Sequence, residues 1–274
     1  MTTVDKLVEL IRRTSSSLPD DVLKAIKAAK RRERKGSSAE VVLDTILENC
    51  KLAKRHGLPL CQDTGTLTFF IDERLRRKVT PTVIKRAVAI ATERGYLRKN
   101  TIDSVTGKSY DDNVCEGAPA VHYVERKKCC VTLILKGGGS ENMSRQYSLP
   151  DADLGAGRDL EGVRKCVLEA VNKIQGYGCA PGILGVCIGG DRVTGYEVAK
   201  EQLLRPLDEE GGEFLKLEKR LLKEANELGI GPMGLGGKTT LLGVKIASRS
   251  RLPASFFVTV AYMCWACRRQ TMAI

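Results

Sequence analysis

Apolar runs of strand length alternate with amphipathic stretches of helix length along most of this 274-residue chain. Residues 212–228 repeat apolar side chains at the period of a helix with one buried face. Gly182 to Ile188 is instead a continuous apolar run, as expected for a buried strand. Helices interspersed with strands pack in layers around a sheet. The pattern therefore predicts a mixed α/β fold, with helices packed around a central mixed sheet.

The coarse element order predicts a helical N-terminal segment (1–36) and a core (37–274) that together form a single domain. Ser37 and Glu40 form a capping-box pattern at the start of one predicted helix. Helices are predicted over residues 1–13, 20–33, 38–55, 80–95, 159–175 and 212–228. Strands are predicted over 67–71, 120–124, 131–135, 182–188, 241–246 and 256–263, with 120–124 paired to 131–135. Little sequence follows the last strand, so we expect any second catalytic domain to be another polypeptide.

Composition excludes several classes of protein. With 42% hydrophobic and 28% charged residues, the chain can bury a core and is not expected to be disordered. No apolar run approaches the roughly 20 residues that cross a bilayer, so no membrane partner is expected. The N-terminus lacks the basic start and long apolar centre of a signal peptide. We therefore expect a cytoplasmic protein.

The net charge of +12 raises the possibility of nucleic-acid binding. Its densest basic run, from Lys24 to Lys35, coincides with the polar face and end of one predicted helix, where cations suit the helix dipole. Aromatic residues make up only 5% of the chain, and no nucleic-acid module is evident. We interpret the run as a solvated helix face that also attracts anionic substrates, and we expect no nucleic-acid partner.

Three familiar motifs occur in the wrong context. Residues 229–234 match G-x-G-x-x-G, but a helix precedes them and a strand follows, the reverse of a dinucleotide site. Residues 237–239 resemble the end of a phosphate-binding loop that lacks its first glycine. Cys264 and Cys267 form the sole C-x-x-C, with no second ligand pair to complete a zinc site. We therefore expect no nucleotide site and no four-ligand zinc site here.

Ten cysteines in a reducing compartment are first interpreted as thiols or metal ligands. Cys50 and Cys166 lie in apolar helical stripes and are expected to be small buried hydrophobes. Three other cysteines combine with glycines, prolines or charged residues at the end of an apolar element. They lie in PLCQDTGT (59–66), in YGCAPG (177–182) running on to GGDR (189–192), and in AYMCWA (261–266).

These three segments resemble the α-type part of the class I fumarases and L-tartrate dehydratases, which are iron–sulfur hydro-lyases. The resemblance also includes KGGGSENMS (136–144) and GPMGLGGKTT (231–240). It extends in the family's order from about residue 40 to residue 268. It implies either reversible hydration of fumarate to L-malate, a step of the tricarboxylic acid cycle, or dehydration of L-tartrate. A methylated analogue is a further substrate that the sequence leaves open.

The resemblance implies a [4Fe–4S] cluster held by Cys61, Cys179 and Cys264. Thiolates are the ligands that iron–sulfur clusters require, and the fold can gather ligands that are distant in sequence. With three ligands, one iron keeps an open position and can act as a Lewis acid. The alternative is that all three cysteines are buried thiols without a cluster.

The resemblance also implies roles for residues that bind a small dicarboxylate. Asp63 would transfer a proton, Gln62 and Arg98 would contact the substrate, and the N–H groups of Gly138 and Gly139 would form an anion nest. Each has a plainer alternative. Asp-Thr-Gly is ordinary turn chemistry, a glycine run can be a simple turn, and an arginine near a helix end is usually solvated.

The family's remaining site residues belong to a β-type part, so the resemblance implies a β subunit as partner, in a heterodimer or an α2β2 assembly.

One position departs from the family's pattern. Family members commonly carry a histidine where this chain has Leu252, which cannot bind a polar group or carry a proton. If the segment is extended, Arg251 should point the opposite way. This departure supports an alternative function as a non-enzymatic iron–sulfur or thiol sensor.

Overall fold

The structure, a computed structural model, describes residues 1–274 and contains eight α-helices and ten strands. The helices are α1 (Thr3–Ser16), α2 (Asp20–Arg32), α3 (Ser38–His56), α4 (Pro81–Glu93), α5 (Gly138–Asn142), α6 (Leu160–Ile174), α7 (Arg192–Gln202) and α8 (Leu215–Glu227). The strands are β1 (Thr66–Asp72), β2 (Thr101–Ile102), β3 (Ser109–Tyr110), β4 (Ala120–Val124), β5 (Val131–Lys136), β6 (Arg145–Ser148), β7 (Gly182–Gly189), β8 (Leu241–Arg249), β9 (Phe257–Met263) and β10 (Arg268–Met272). None of the helices combines the length and the apolar character that crossing a membrane requires.

The chain divides into two compact units. Unit 1 comprises residues 1–19, 48–138 and 266–274, and unit 2 comprises residues 20–47 and 139–265. Each unit contains one four-stranded sheet with both parallel and antiparallel pairs, and unit 1 also contains the small β2–β3 pair. The predicted mixed α/β class and the helical N-terminal segment are confirmed, with the main strands divided between two mixed sheets.

In unit 1 the sheet has the order β10-β5-β1-β4. Strand β1 pairs in parallel with β4 on one side and antiparallel with β5 on the other. The prediction that residues 120–124 pair with 131–135 is therefore wrong, because β1 lies between them. Every residue of β1 after Thr66 is buried, and a buried strand needs partners for its backbone groups along both edges. Strand β10 was not predicted.

Helices α1 and α4 pack together in unit 1, and α1 also contacts β5 and β10. The predicted amphipathic N-terminal helix is confirmed. It begins with a capping box in which Thr2 and Asp5 bond each other's backbone N–H groups. At α3, Ser37 Oγ accepts the N–H of Glu40 as predicted, but the Glu40 carboxylate accepts the N–H of Gly36 rather than that of Ser37.

In unit 2 the sheet has the order β6-β9-β7-β8, with β7 parallel to β8 and antiparallel to β9. Strand β7 is buried throughout, as predicted, because alternate residues face helices on opposite sides of the sheet. Leu184, Val186 and Ile188 join a core with α6 and α8. On the other face, a Cβ at Gly185 would overlap a carbonyl of α7. Strand β6 and helix α7 were not predicted, although Asp191 caps α7 by accepting two backbone N–H groups.

The basic run of α2 lies at the surface, in agreement with its interpretation as a solvated helix face. Most of its cations are exposed, and Lys30 is half-buried and pairs with Asp44. Helix α2 packs against β8 within unit 2. Helix α8 precedes residues 229–234 and β8 follows them, which confirms the reversed element order on which the dinucleotide motif was rejected.

Candidate functional site

The carboxylate of Asp63 is bonded on both oxygens within unit 1. Oδ1 accepts the N–H of Gly65 at 2.8 Å and the side-chain amide of Asn100 at 3.2 Å. Oδ2 accepts the N–H of Gly138 at 2.7 Å. Asp63 therefore forms the turn expected from Asp-Thr-Gly, and it also occupies one of the two N–H groups predicted to bind a substrate carboxylate.

Thr64 ties this turn to the segment that carries Arg98. Its buried hydroxyl accepts the Arg98 N–H at 2.8 Å and donates to the Arg98 carbonyl at 2.9 Å. The backbone of Arg98 is thereby fixed beside Asp63, whereas its side chain is exposed. An anchored backbone with a solvent-facing guanidinium suits a residue that reaches out to an anion.

Asn113 holds the segment that carries Arg98 in place. It was not predicted as a site residue. It is fully buried in a left-handed backbone conformation, with φ of 59°. Its side-chain oxygen accepts the N–H groups of Asn100 and Thr101, and its amide donates to the Arg98 carbonyl. A buried side chain that satisfies this many backbone groups fixes the path of residues 98–101.

Gly65 permits the close approach of the Asp63 turn to the end of β5. Its φ is +77°, and a Cβ there would lie 2.6 Å from the carbonyl carbon of Lys136. Only glycine meets both conditions without strain. Beside this contact a cleft of 230 Å³ is lined by residues that include Asp63, Asn100, Thr101 and Gly138. Unit 1 therefore gathers Asp63, the Arg98 segment and Gly138 around one cleft, while Gln62 is exposed next to it.

In unit 2 the sheet brings Cys179 and Cys264 to the same end of the neighbouring strands β7 and β9. Cys179 precedes the first residue of β7, and Cys264 follows the last residue of β9. Because β7 and β9 are antiparallel, with Ile183 opposite Met263, the start of one strand lies beside the end of the other. The N–H of Trp265 donates to the Cys179 carbonyl at 3.4 Å. Ser140 Oγ accepts the N–H of Cys264 at 3.1 Å.

The loop that carries Cys179 is supported by both ends of residues 231–240. The N–H of Met233 donates to the Ala180 carbonyl, and the N–H of Gly182 donates to the Thr240 carbonyl, both at 2.9 Å. Cys179 itself has a φ of 50°, a conformation that non-glycine residues rarely adopt and that recurs at functional sites. The motif that superficially resembled a nucleotide loop therefore holds the cysteine loop in place.

Tyr262 lies behind both cysteines of unit 2. It is 1% exposed, and its hydroxyl has no hydrogen-bond partner in the protein. Burial raises the pKa of Tyr262 well above its usual value, and Cys264 and Cys179 would raise it further as thiolates. The hydroxyl is therefore protonated at neutral pH and is available as a donor. Sequence analysis missed this residue, because a tyrosine in an apolar strand is usually core.

The cysteines separate into accessible and buried groups. Burial raises the pKa of Cys50 to about 11 and that of Cys166 to about 12, so both stay protonated, as expected of structural thiols. Cys179 is exposed, and Cys61 and Cys264 are half-buried. Cys61 belongs to unit 1, and the other two belong to unit 2. Taken separately, neither unit gathers three or more His, Cys, Asp or Glu side chains into a group that could hold a metal ion.

Leu252 is 74% exposed in the loop before β9. The loop contains a turn and is not an extended segment, so the condition for Arg251 to point the opposite way is not met. Arg251 bends back, donates to the carbonyls of Leu252, Pro253 and Ser255, and lies 4.6 Å from the ring centre of Phe256. The Arg251 guanidinium therefore stabilises the loop that contains Leu252.

Comparison with known proteins gives one family. The profile of the family described as Fumarate hydratase (Fumerase) matches residues 4–273. A protein of Geobacillus stearothermophilus named as a fumarate hydratase class I is 50% identical over 97% of the chain and 53% of the relative. A protein of Methanocaldococcus jannaschii named as an L(+)-tartrate dehydratase subunit alpha is 35% identical over 97% of the chain and 95% of the relative. The L(+)-tartrate dehydratase subunit alpha of Escherichia coli is 30% identical over 99% of the chain and 91% of the relative. The chain thus spans about half the length of the first relative and nearly all of the other two.

Proposed function

Since the chain belongs to the fumarate hydratase (Fumerase) family, we propose that it is the cluster-binding α part of an iron–sulfur hydro-lyase that reversibly hydrates fumarate to L-malate. One observation carries this proposal. In a chain of this family, two accessible cysteines, Cys179 and Cys264, lie at the same end of the neighbouring strands β7 and β9. Fumarate takes precedence over L-tartrate because the relative named for it is 50% identical, against 35% and 30% for those named for tartrate.

We propose Cys61, Cys179 and Cys264 as the ligands of a [4Fe–4S] cluster. The donor set fits, because all three are thiols with access to the surface, whereas Cys50, Cys166 and Cys187 are buried. When bound, a cluster with three protein ligands supplies one open iron that acts as a Lewis acid on a hydroxyl and a carboxylate.

In this proposal Asp63 moves the proton, and the N–H of Gly138 binds a carboxylate of the substrate. One N–H forms one strong hydrogen bond, so a substrate carboxylate bound at Gly138 would displace Asp63 Oδ2 from that donor. The displaced oxygen would then be available to take or give the proton at the substrate carbon. Gly139, Gln62 and the exposed Arg98 side chain complete the contacts to the dicarboxylate.

We also propose that residues 1–274 act as one α-type domain, with a β subunit of the same hydro-lyase as partner in a heterodimer or an α2β2 assembly. Two relatives that the chain matches over 91% or more of their length carry the words subunit alpha in their names. The proposed setting is the cytoplasm and the tricarboxylic acid cycle.

Anaerobic reconstitution of the chain with iron and sulfide tests the ligand assignment. We expect the wild-type chain to bind a cluster, with visible absorption and matching iron and sulfide contents. Cys61→Ser, Cys179→Ser and Cys264→Ser should each lose most of it. Cys129→Ser is the matched control, because Cys129 is also exposed and is not a proposed ligand. A colourless wild-type chain, or equal loss in the control, would contradict the assignment.

Assay of the reconstituted chain with a β-type partner separates the candidate activities. Fumarate, L-tartrate and a methylated fumarate are offered in turn, and the expected result is fastest turnover of fumarate. Faster dehydration of L-tartrate would favour the tartrate dehydratase alternative. A stable cluster with no turnover of any dicarboxylate would instead favour a sensor.

A further inference from the structure

Tyr262 carries a buried polar group that the protein does not satisfy. Its side chain is among the largest fully buried ones, yet its hydroxyl has no hydrogen-bond partner. Nearly all buried polar groups in folded proteins are paired, and an unpaired one destabilises the folded state. A phenylalanine would fill the same space without this cost. The hydroxyl therefore points to a partner outside the polypeptide.

The hydroxyl lies within the loop that carries Cys179. A Cβ at Gly182 would overlap the Tyr262 hydroxyl oxygen, and a Cβ at Gly178 would lie 2.8 Å from the adjoining ring carbon. These two glycines flank Cys179, so the tyrosine ring occupies the space that their missing side chains leave. Cys264 follows Tyr262 by two residues, directly after the end of β9, and packs against the core cluster that contains Tyr262.

Neighbouring groups hold this arrangement without using the hydroxyl. The Tyr262 N–H donates to Ser144 Oγ at 3.2 Å, and Leu184 pairs with Tyr262 across the sheet. The tyrosine is fixed through its backbone and its ring, with its hydroxyl against the loop that carries Cys179. A sulfur atom carrying negative charge is the partner that this position fits.

We propose that the Tyr262 hydroxyl donates an O–H···S hydrogen bond to the bound cluster on the side held by Cys179 and Cys264. The inference rests on the proposed cluster site. Tyr262 is a positioning residue that tunes the cluster, because hydrogen bonds to the sulfurs help to set a cluster's reduction potential. The bond stabilises the more negative, reduced state more than the oxidised state. Its removal should therefore make the potential more negative.

The test compares Tyr262→Phe with wild type after anaerobic reconstitution of the full chain. The midpoint potential of the cluster is measured by a redox titration followed by electron paramagnetic resonance. We expect a more negative midpoint in Tyr262→Phe at equal iron and sulfide content. The apo form of the variant should be at least as stable as the wild-type apo chain, because it no longer buries an unpaired hydroxyl.

Tyr147→Phe is the matched control. The Tyr147 hydroxyl is also buried and unpaired, but Tyr147 pairs with Val258 near the opposite end of β9 from Cys264. The control should leave the potential unchanged. An unchanged potential in Tyr262→Phe, or the same shift in both variants, would overturn the inference while leaving the cluster assignment intact. A wild-type chain that takes up no cluster would overturn the proposed function and this inference with it.

A second measurement detects the hydrogen bond directly. Pulsed electron paramagnetic resonance of the wild-type holo-chain transferred to D2O should detect an exchangeable deuteron coupled to the reduced cluster. The coupling from the hydroxyl deuteron should be missing from Tyr262→Phe, whereas couplings from exchangeable solvent or backbone deuterons remain. If the wild-type chain gives no coupled deuteron, the hydrogen bond does not exist.

Discussion

Replacing Asp63 with asparagine separates its structural role from its chemical one. Asparagine keeps one acceptor oxygen and replaces the other with an NH2 group. If the remaining oxygen stays with Gly65, the NH2 group faces the N–H of Gly138, donor against donor, and in the flipped orientation the Gly65 bond is lost. One backbone N–H loses its acceptor in either case, and the other keeps only a neutral amide oxygen.

The expected loss follows from the number of bonds. Hydrogen bonds to charged groups are worth about 1.5–3 kcal/mol each, and the lower end applies because Asp63 is half-buried. Asp63→Asn loses one of the two backbone bonds and should therefore lower the free energy of unfolding by about 1.5 kcal/mol. Asp63→Ala loses both, together with the long, exposed bond to Asn100 that adds little, and should lower it by about 3 kcal/mol. A chain with a typical stability of about 5–15 kcal/mol remains folded in both variants.

Urea unfolding of the apo chain, followed by far-ultraviolet circular dichroism, measures the loss. Hydration of fumarate by the reconstituted chain with its β partner measures the chemistry. We expect Asp63→Asn to lose activity under conditions where it is fully folded. Asp103→Asn is the matched control in the same unit, since Asp103 also accepts backbone N–H groups, from Val105 and Thr106. It should lose stability but keep activity.

Two results would refute this reasoning. A stability of Asp63→Asn within about 0.5 kcal/mol of wild type, the range of ordinary surface substitutions, would show that the three bonds do not hold the turn. Full activity in a folded Asp63→Asn protein would show that the carboxylate does not move the proton.

Three further predictions concern residues outside the candidate site. Gly185→Ala should lower the thermal midpoint, because its Cβ overlaps the Ala199 carbonyl oxygen and overpacking costs about 1–3 kcal/mol; an unchanged midpoint would contradict the close packing of β7 and α7. Arg74→Ala should reduce stability at neutral pH, since Arg74 lowers the pKa of Asp72 from 3.8 to about 2. The deficit should shrink as pH falls through that interval, because the stabilisation from a depressed carboxyl pKa is lost as the carboxyl becomes protonated, and a pH-independent deficit would exclude this cause. Cys166 should resist iodoacetamide in the folded chain and react in urea, as read by peptide mass spectrometry, because burial raises its pKa to about 12.

Local patterns predicted the elements that bury a regular apolar face. The continuous apolar run of β7 and the helical spacing of α8 needed no tertiary information. The cysteine segments were recognisable because each joins an apolar element to glycines, prolines or charges. With β7 and β9 both predicted, an antiparallel arrangement would have placed Cys179 beside Cys264, but strand pairing is a tertiary property that neither pattern contains.

Elements with polar sequences could not be predicted. Strand β10 reads RRQTM, yet Arg268 and Arg269 are buried there, because pairing with β5 overrides local preference. Asn113 lies in a polar stretch typical of a surface loop. Its importance arises from backbone groups 13 or more residues away, at Asn100 and Arg98, which it satisfies. The Asp63 site therefore depends on contacts that no single stretch of sequence reveals.

The position of β10 has a consequence for biosynthesis. This strand completes the sheet of unit 1 by pairing with β5, but all four strands of unit 2 separate the two in the chain. A ribosome therefore releases every strand of unit 2 before it makes the outermost strand of unit 1. Until then β5 presents an open edge, to which a chaperone or another nascent chain can bind. Slow translation of the segment that encodes β10 should thus expose unit 1, and not unit 2, to misassembly.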